Sequence, residues 1–357
     1  MANAAPPFGE LNPSMECGGR AKRRHRFELR DFKLMLRIDR SKAPSPLRSA
    51  GALHIACFCA ALACFSACGS SDVPAAALAC APETLAKQFE DIASVTKGPV
   101  GAAAMLVETG DIVVLNGKQQ FPMQSVYKLP IGMAVLHRVD NGTLKLDQKV
   151  KVAPEDLVPP ALRSPIRDKY PRGVELTVLE LMRFMMVDSD GTACDVLLEL
   201  IDGPEQATKY LRGLGVEGIV VATSEKAMAE SDDVQYRNWS TPEAMVELLK
   251  LLQEGRVLSA ASRQLLLQLM IETPTFPGRI KGLLPGGTGV AHKTGSSGTK
   301  NGLSRATNDV GLITLPGGNQ LAVAIFVSDT RADDATRQAV IAKIARASWD
   351  CWTVPTR

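Results

Sequence analysis

Strand-like apolar runs lie at the two ends of the patterned region of this chain, and a long helical stretch separates them. Val100–Val107 and Ile112–Asn116 are apolar runs split by the polar Glu108-Thr109-Gly110-Asp111, the pattern of a β-hairpin. Gly289–Lys293, Asp309–Leu315 and Gln320–Val327 give three more strand signals near the C-terminus. From about 175 to 275 the apolar period is helical, in Thr177–Val187, Thr192–Ile201, Glu205–Gly213, Thr241–Leu252 and Ala260–Ile271. Phe121–Leu136 reads as a strongly apolar helix. Thr84–Val95, with Leu85, Phe89, Ile92 and Val95 on one stripe, opens the region as a helix, and Asp333–Trp349 closes it as another. The two strand groups are expected to form one sheet. The expected fold class is therefore mixed α/β (α+β), a five-stranded antiparallel sheet flanked by N- and C-terminal helices, with an inserted all-α subdomain. The terminal helices would cover one face and the helical block the other.

Composition agrees with a globular domain. Of 357 residues, 45% are hydrophobic and 22% charged, which excludes a disordered, collagen-like or polytopic membrane chain. The net charge of +3 is unevenly spread. Residues 1–50 hold eleven Lys and Arg against five Asp and Glu, so the remainder is mildly acidic. That removes any case for nucleic acid as a partner. The basic segment precedes an uncharged apolar run, Ala50–Cys68, rich in small residues, and the pair has the pattern of an export signal. Residues 1–68 therefore read as a leader, with 1–34 a misplaced start and a signal peptide at 35–68. Ser66-Ala67-Cys68-Gly69 is lipobox-like, and lipidation of Cys68 would provide the membrane contact; ordinary cleavage nearby, or an uncleaved anchor, is the alternative. A periplasmic or secreted location follows, with a membrane-anchored lipoprotein as the variant. Residues 69–82 read as a tether and 83–353 as the working domain. Five of the eight cysteines lie in the leader, leaving Cys80, Cys194 and Cys351. A Cys80–Cys351 disulfide is conceivable in an oxidising compartment, with three unpaired thiols as the alternative. The domain is expected to be a monomer.

No metal or cofactor is expected. The four histidines, His25, His54, His137 and His292, have neither HExxH nor other ligand spacing. No G-x-S-x-G elbow supports a Ser-His-Asp triad. A different nucleophile system is present. Ser125-Val126-Tyr127-Lys128 opens the apolar helix, and a spacing of three puts Ser125 and Lys128 on one helical face. An ammonium beside a serine hydroxyl stabilises its alkoxide, and a neutral amine can take its proton. The helix N-terminus adds backbone N–H groups for a developing oxyanion. Ser189-Asp190-Gly191 lies between two helices; a plain helix N-cap is the simpler reading of it alone. Lys293-Thr294-Gly295-Ser296-Ser297-Gly298 ends a strand with a cation, hydroxyls and glycines, a set suited to a carboxylate ligand, or else a polar turn. Glu225, on the irregular stretch between Val221 and Trp239, could activate water as a general base, or simply be solvated.

In this order and spacing the elements resemble the class A serine β-lactamase family, which carries S-x-x-K, S-D-N and K-T-G in chain order with a Glu on a loop before the last. Phe121-Pro122-Met123-Gln124 and Asp232-Asp233-Val234-Gln235-Tyr236-Arg237-Asn238-Trp239 look like the branch that contains extended-spectrum cephalosporinases. The resemblance spans about 83 to 353. It implies the β-lactamase/transpeptidase-like fold, a β-lactam substrate, and hydrolysis of penicillins and cephalosporins through a serine acyl-enzyme, hence antibiotic resistance. It implies Ser125 as nucleophile, Lys128 as base or relay, Ser189 as proton donor to the leaving nitrogen and Glu225 as activator of water. Backbone N–H groups of Ser125 and Ser296 would form the oxyanion hole. Lys293, Thr294, Gly295 and Ser296, with Gly191 and Arg279, would bind substrate. Three departures stand out: Gly191 where the family has Asn, Ala229 where many members have Asn, and Arg163 where the cleft edge is often aromatic. A Gly191→Asn exchange is expected to improve at least one substrate. The alternatives are a penicillin-binding, DD-peptidase-like enzyme that deacylates slowly, and a catalytically weak β-lactam-binding lipoprotein, which Gly191 favours.

Overall fold

The computed structural model describes residues 81–353; the leader, the tether up to residue 80 and Cys80 lie outside the described residues. In chain order the elements are α1 (Pro82–Ala93), β1 (Val100–Leu106), β2 (Ile112–Leu115), β3 (Phe121–Pro122), α2 (Lys128–Asp140), β4 (Lys149–Val152), α3 (Pro165–Lys169) and β5 (Val174–Thr177). There follow α4 (Val178–Met186), α5 (Gly191–Leu200), α6 (Pro204–Gly213), β6 (Ile219–Val220), α7 (Glu225–Met228), β7 (Trp239–Ser240), α8 (Pro242–Gln253) and α9 (Ala260–Ile271). The chain closes with β8 (Val290–Ser296), β9 (Ser304–Thr314), β10 (Gln320–Thr330) and α10 (Asp334–Thr353).

The five expected strands form one antiparallel sheet in the order β2-β1-β10-β9-β8. The strand pairing closes across the whole insertion, with Val100 opposite Val327 and Leu106 opposite Leu321. Both faces of this sheet are covered, so β1 and Leu321–Val327 of β10 are apolar without interruption, and alternate residues enter different cores. Along β10, Ala322, Ala324 and Phe326 join the core shared with the helical insertion. Their neighbours Leu321, Val323, Ile325 and Val327 join the core under α1 and α10. In β1, Ala102, Ala104 and Leu106 face the terminal helices while Ala103 and Met105 face the insertion. The layers are thus those expected, with α8 also packing on the insertion side of the sheet.

Local signals place the helical boundaries. Thr177 and Glu180 make a reciprocal capping box at α4. Asp190, Thr241 and Ser259 cap α5, α8 and α9 by accepting from Ala193, Ala244 and Ser262. The expected helix over Phe121–Leu136 is broken at its start. Phe121 and Pro122 pair with β7, Gln124 takes a left-handed φ of 48°, and a 3-10 turn over Gln124–Tyr127 precedes α2. Two small sheets, β3-β7-β6 and β4-β5, were not legible as strands because they are two to four residues long. Cys194 is a free, buried thiol, and Cys351 is disulfide-bonded.

Phe89 of α1 is fully buried in the core beneath the terminal helices. Phe89→Ala should lower unfolding stability by about 3–5 kcal/mol, read as a lower urea midpoint at unchanged slope. An unchanged midpoint would mean that α1 does not contribute to this core.

Candidate active site

The site is assembled from the sheet edge and the insertion. Gln124, Ser125, Lys128, Ser189, Glu225, Thr294, Gly295 and Ser296 line one cleft of about 670 Å³. Its remaining walls include Arg163, Met228, Asp232, Gln235, Thr275, Phe276 and Gly298.

Ser125 lies in the 3-10 turn rather than in α2 itself. With three residues per turn, side chains at i and i+3 eclipse, and Lys128 Nζ sits 3.1 Å from Ser125 Oγ. The same ammonium lies 2.6 Å from Glu225 Oε1 and donates to the Ser189 carbonyl at 2.9 Å. Lys128 and Glu225 are both buried. Burial is the largest single influence and works to lower the Lys128 pKa, but the Glu225 carboxylate, helped by Cys194 and Asp190, turns the balance and the pKa is raised. Lys128 is therefore an ammonium at neutral pH.

Ser189 joins the two lysines. Its backbone is left-handed, at φ 59°. While its carbonyl accepts from Lys128, its Oγ accepts from Lys293 Nζ at 3.0 Å. Lys293 is fully buried on β8 and makes no ion pair among the described residues. Burial first, then repulsion from Lys128, lowers its pKa to about 7. Asp190, next in sequence, is structural as well as capping: it accepts from Ala193 N, Ile166 N and Ser164 Oγ. Gly295 belongs to the strand that closes against the nucleophile. A Cβ there would collide with the Met123 carbonyl and press on Val126 N, so only glycine allows β8 this close.

Glu225 is set by contacts that the sequence reading missed. Asp195 accepts from Glu225 N at 2.7 Å and Lys226 N at 2.9 Å, holding the first turn of α7. Burial raises the Asp195 pKa to about 6. An aspartate four residues past Gly191, among the buried residues of a largely apolar helix, was the available signal. Asn238 closes the neck of the same loop: its Oδ1 accepts from Ala222 N and Thr223 N, and its Nδ2 donates to Thr223 O. Gln124, just before the nucleophile, donates to Gln235 Oε1 at 2.7 Å. Asp232 ion-pairs with Lys300 and Arg305, which ties the loop to the β8–β9 turn. Ala229 is the residue that ends α7.

Three expected substrate contacts, Gly191, Lys293 and Arg279, do not line the cleft; Lys293 stands behind it and reaches it through Ser189 Oγ. Gly191 does not line the cleft; it is buried, with its N–H donating to the Arg163 carbonyl at 2.9 Å. A Cβ on it would press to 3.3 Å from that carbonyl and from Val158 Cγ2. The Asn exchange thus has to displace this backbone, and improvement no longer follows from it. Arg279 also does not line the cleft. It is fully buried, and its Nη1 donates to the carbonyls of Gly295 and Asn308 at 2.9 and 2.8 Å. Arg163 is at the cleft edge as expected, with its Nε donating to the Asp188 carbonyl at 2.6 Å.

A hydroxyl, a lysine bridging it to a carboxylate, and a second lysine behind a serine can transfer an acyl group and move its protons. Comparison with known proteins matches nearly all of the described domain. A model of the β-lactamase enzyme family matches residues 84–352. The chain is 36% identical to the β-lactamase VEB-1 of Pseudomonas aeruginosa, over 75% of this chain and 90% of that protein. It is 40% identical to the extended-spectrum β-lactamase PER-1 of the same organism, over 74% and 86%. Among solved structures, a β-lactamase from Chitinophaga pinensis is 46% identical with a TM-score of 0.73, covering 75% of this chain and 98% of that one. The TLA-1 extended-spectrum β-lactamase is 40% identical with a TM-score of 0.74, over 75% and 98%. With fold, site and relatives in agreement, the chain belongs to the class A β-lactamase family.

Proposed function

We propose that this chain hydrolyses the β-lactam amide of penicillins and cephalosporins through an acyl-enzyme on Ser125, and so confers antibiotic resistance. The observation that carries the reading is the position of Lys128 Nζ, 3.1 Å from Ser125 Oγ and 2.6 Å from Glu225 Oε1. Because Lys128 is charged, it cannot take the serine proton directly. It first passes a proton to Glu225, then accepts the proton of Ser125 as Oγ attacks the lactam carbonyl carbon. Main-chain N–H groups of Ser125 and Ser296 stabilise the oxyanion. The C–N bond breaks as Ser189 Oγ, with Lys293 3.0 Å behind it, protonates the nitrogen; Lys128 replaces the proton lost by Ser189 and recovers its own from Glu225, so that Glu225 is a carboxylate again before water attacks. In deacylation Glu225 takes a proton from water, the hydroxide adds to the ester carbonyl, and Ser125 leaves as its proton returns.

Lys293, Thr294 and Ser296 bind the substrate carboxylate in this reading. The carboxylate within reach of the serine through one lysine favours hydrolysis over a penicillin-binding enzyme that stalls after acylation. Export is supported by the basic segment and the apolar run Ala50–Cys68, and a lipid anchor by Ser66-Ala67-Cys68-Gly69. A monomer remains the proposed state of the domain.

Three outcomes test these roles. Ser125→Ala should lower hydrolysis of a chromogenic cephalosporin by roughly 10³-fold or more; retained turnover would remove Ser125 as nucleophile. Glu225→Gln should acylate and then stall, leaving a covalent adduct visible by mass spectrometry, whereas rapid turnover in that variant would contradict its role. Lys293 should give kcat/KM an alkaline limb. Below its pKa of about 7 the free enzyme carries the ammonium that attracts the substrate carboxylate; above it the charge is lost and KM rises. A bound carboxylate favours the charged form, so kcat should show this limb at higher pH or not at all. A KM flat from pH 6 to 9 would mean that Lys293 does not titrate in this range.

A further inference from the structure

Phe276 has no place in the mechanism above. It is the single aromatic side chain among the described residues that line the cleft. It is also the one cleft-lining member of the large apolar side chains that stand exposed, at 39%. A lone exposed apolar residue is ordinary on a protein surface. What distinguishes Phe276 is how firmly it is held.

Its backbone takes a left-handed φ of 48°, a conformation that bulky residues rarely adopt. Strained backbone persists where surrounding contacts over-determine it, and such residues gather at ligand sites. Contacts on both sides do this here. Thr275 Oγ1 is 2.6 Å from Thr294 Oγ1 on β8, and Arg279 N donates to the Phe276 carbonyl at 3.1 Å. The Arg279 guanidinium carbon lies 3.8 Å from the ring centroid, so one face of the ring is packed from behind and the rest is offered to the cleft. A ring already fixed in place loses little freedom when a ligand meets it.

The neighbours of Phe276 fix which part of a substrate meets it. Thr294 belongs to the set that binds the substrate carboxylate in the reading above, and Thr275 is bonded to it. In a cephalosporin the carbon that bears the carboxylate is joined to C3, which carries the variable ring substituent. In a penicillin the corresponding neighbour carries only two methyl groups. We propose that Phe276 is a specificity-determining residue that sorts cephalosporins by their C3 substituent, its held ring being a stacking surface for an aromatic group there. The inference rests on the β-lactam reading and on the carboxylate site assigned with it. An offset-stacked aromatic pair gains beyond plain apolar burial, so an aromatic C3 group is favoured over an aliphatic one.

Nitrocefin and cephalothin share a thienylacetyl side chain and differ at C3, where one has a dinitrostyryl group and the other acetoxymethyl. The test is their ratio of kcat/KM in the full-length chain, which cancels any change common to both. Phe276→Gly suits the left-handed φ while removing the ring, and should lower the nitrocefin-to-cephalothin ratio about five-fold. Phe276→Leu keeps apolar volume without the ring and should lower it less. Phe276→Tyr keeps the ring and should restore the parent ratio. An unchanged ratio in Phe276→Gly, meaning equal changes for both substrates, would overturn the proposal and reduce Phe276 to an apolar wall. Should the glycine variant not fold, equal ratios in Phe276→Leu and Phe276→Tyr would overturn it in the same way. If the parent hydrolysed neither cephalosporin, the β-lactam reading itself would fall, and this inference with it.

Discussion

The Lys128–Glu225 ion pair is the interaction on which the site depends. Two opposite charges buried 2.6 Å apart recover their desolvation only with close geometry and further hydrogen bonds. Lys128 obtains these from Ser125 Oγ and the Ser189 carbonyl. Glu225 is held through its backbone by Asp195. Removing either charge would leave the other buried and uncompensated, so the pair fixes the distance between the α2 turn and the α7 loop. The same arrangement that costs folding energy provides a proton path from the serine to a carboxylate.

The fold supplies the partners from distant parts of the chain. The insertion contributes Ser189 at the start of α5 and Glu225 on α7, and the sheet edge contributes Lys293 to Ser296 on β8. Gly295 lets that edge approach the nucleophile turn, and Asn308 on the next strand donates to the carbonyls of Pro122 and Met123 just before it. The loop that bears Glu225 is fastened at its neck by Asn238 and at its outer side by Asp232 with Lys300 and Arg305. The exposed ion pairs contribute little stability individually. Their effect is on where the loop sits.

Much of this was legible in the sequence because it rests on local rules. The continuous apolar runs of β1 and β10 follow from burial of both faces, and the helical period in α4, α5, α8 and α9 from burial of one. Ser125 and Lys128 are neighbours by spacing alone, and the order of the motifs brought Ser189, Glu225 and Lys293 to one site. What failed to show depends on tertiary context. The short β3, β6 and β7 pair only because the insertion returns to them, so their periodicity is too brief to read. Asp195 looks like a stray charge on an apolar helix until α7 presents two N–H groups to it. The resemblance implied Arg279 as a substrate cation, but it is buried behind the cleft, with the Phe276 ring 3.8 Å from its guanidinium carbon. Gly191 was read as a lost side chain, yet its amide and its missing Cβ make room for the Arg163 backbone.

The protonation of Lys128 is the central claim in measurable form. With lysine side chains labelled with ¹⁵N, the Nζ resonance assigned by a Lys128→Arg variant would be followed with pH in the free enzyme. The account predicts an ammonium that persists through neutral pH and above, because the Glu225 carboxylate holds its pKa up. It further predicts that Glu225→Gln lowers that pKa, since burial then acts without a counter-charge. A neutral amine at pH 7 in the parent would contradict the account, and Lys128 would then take the serine proton without Glu225.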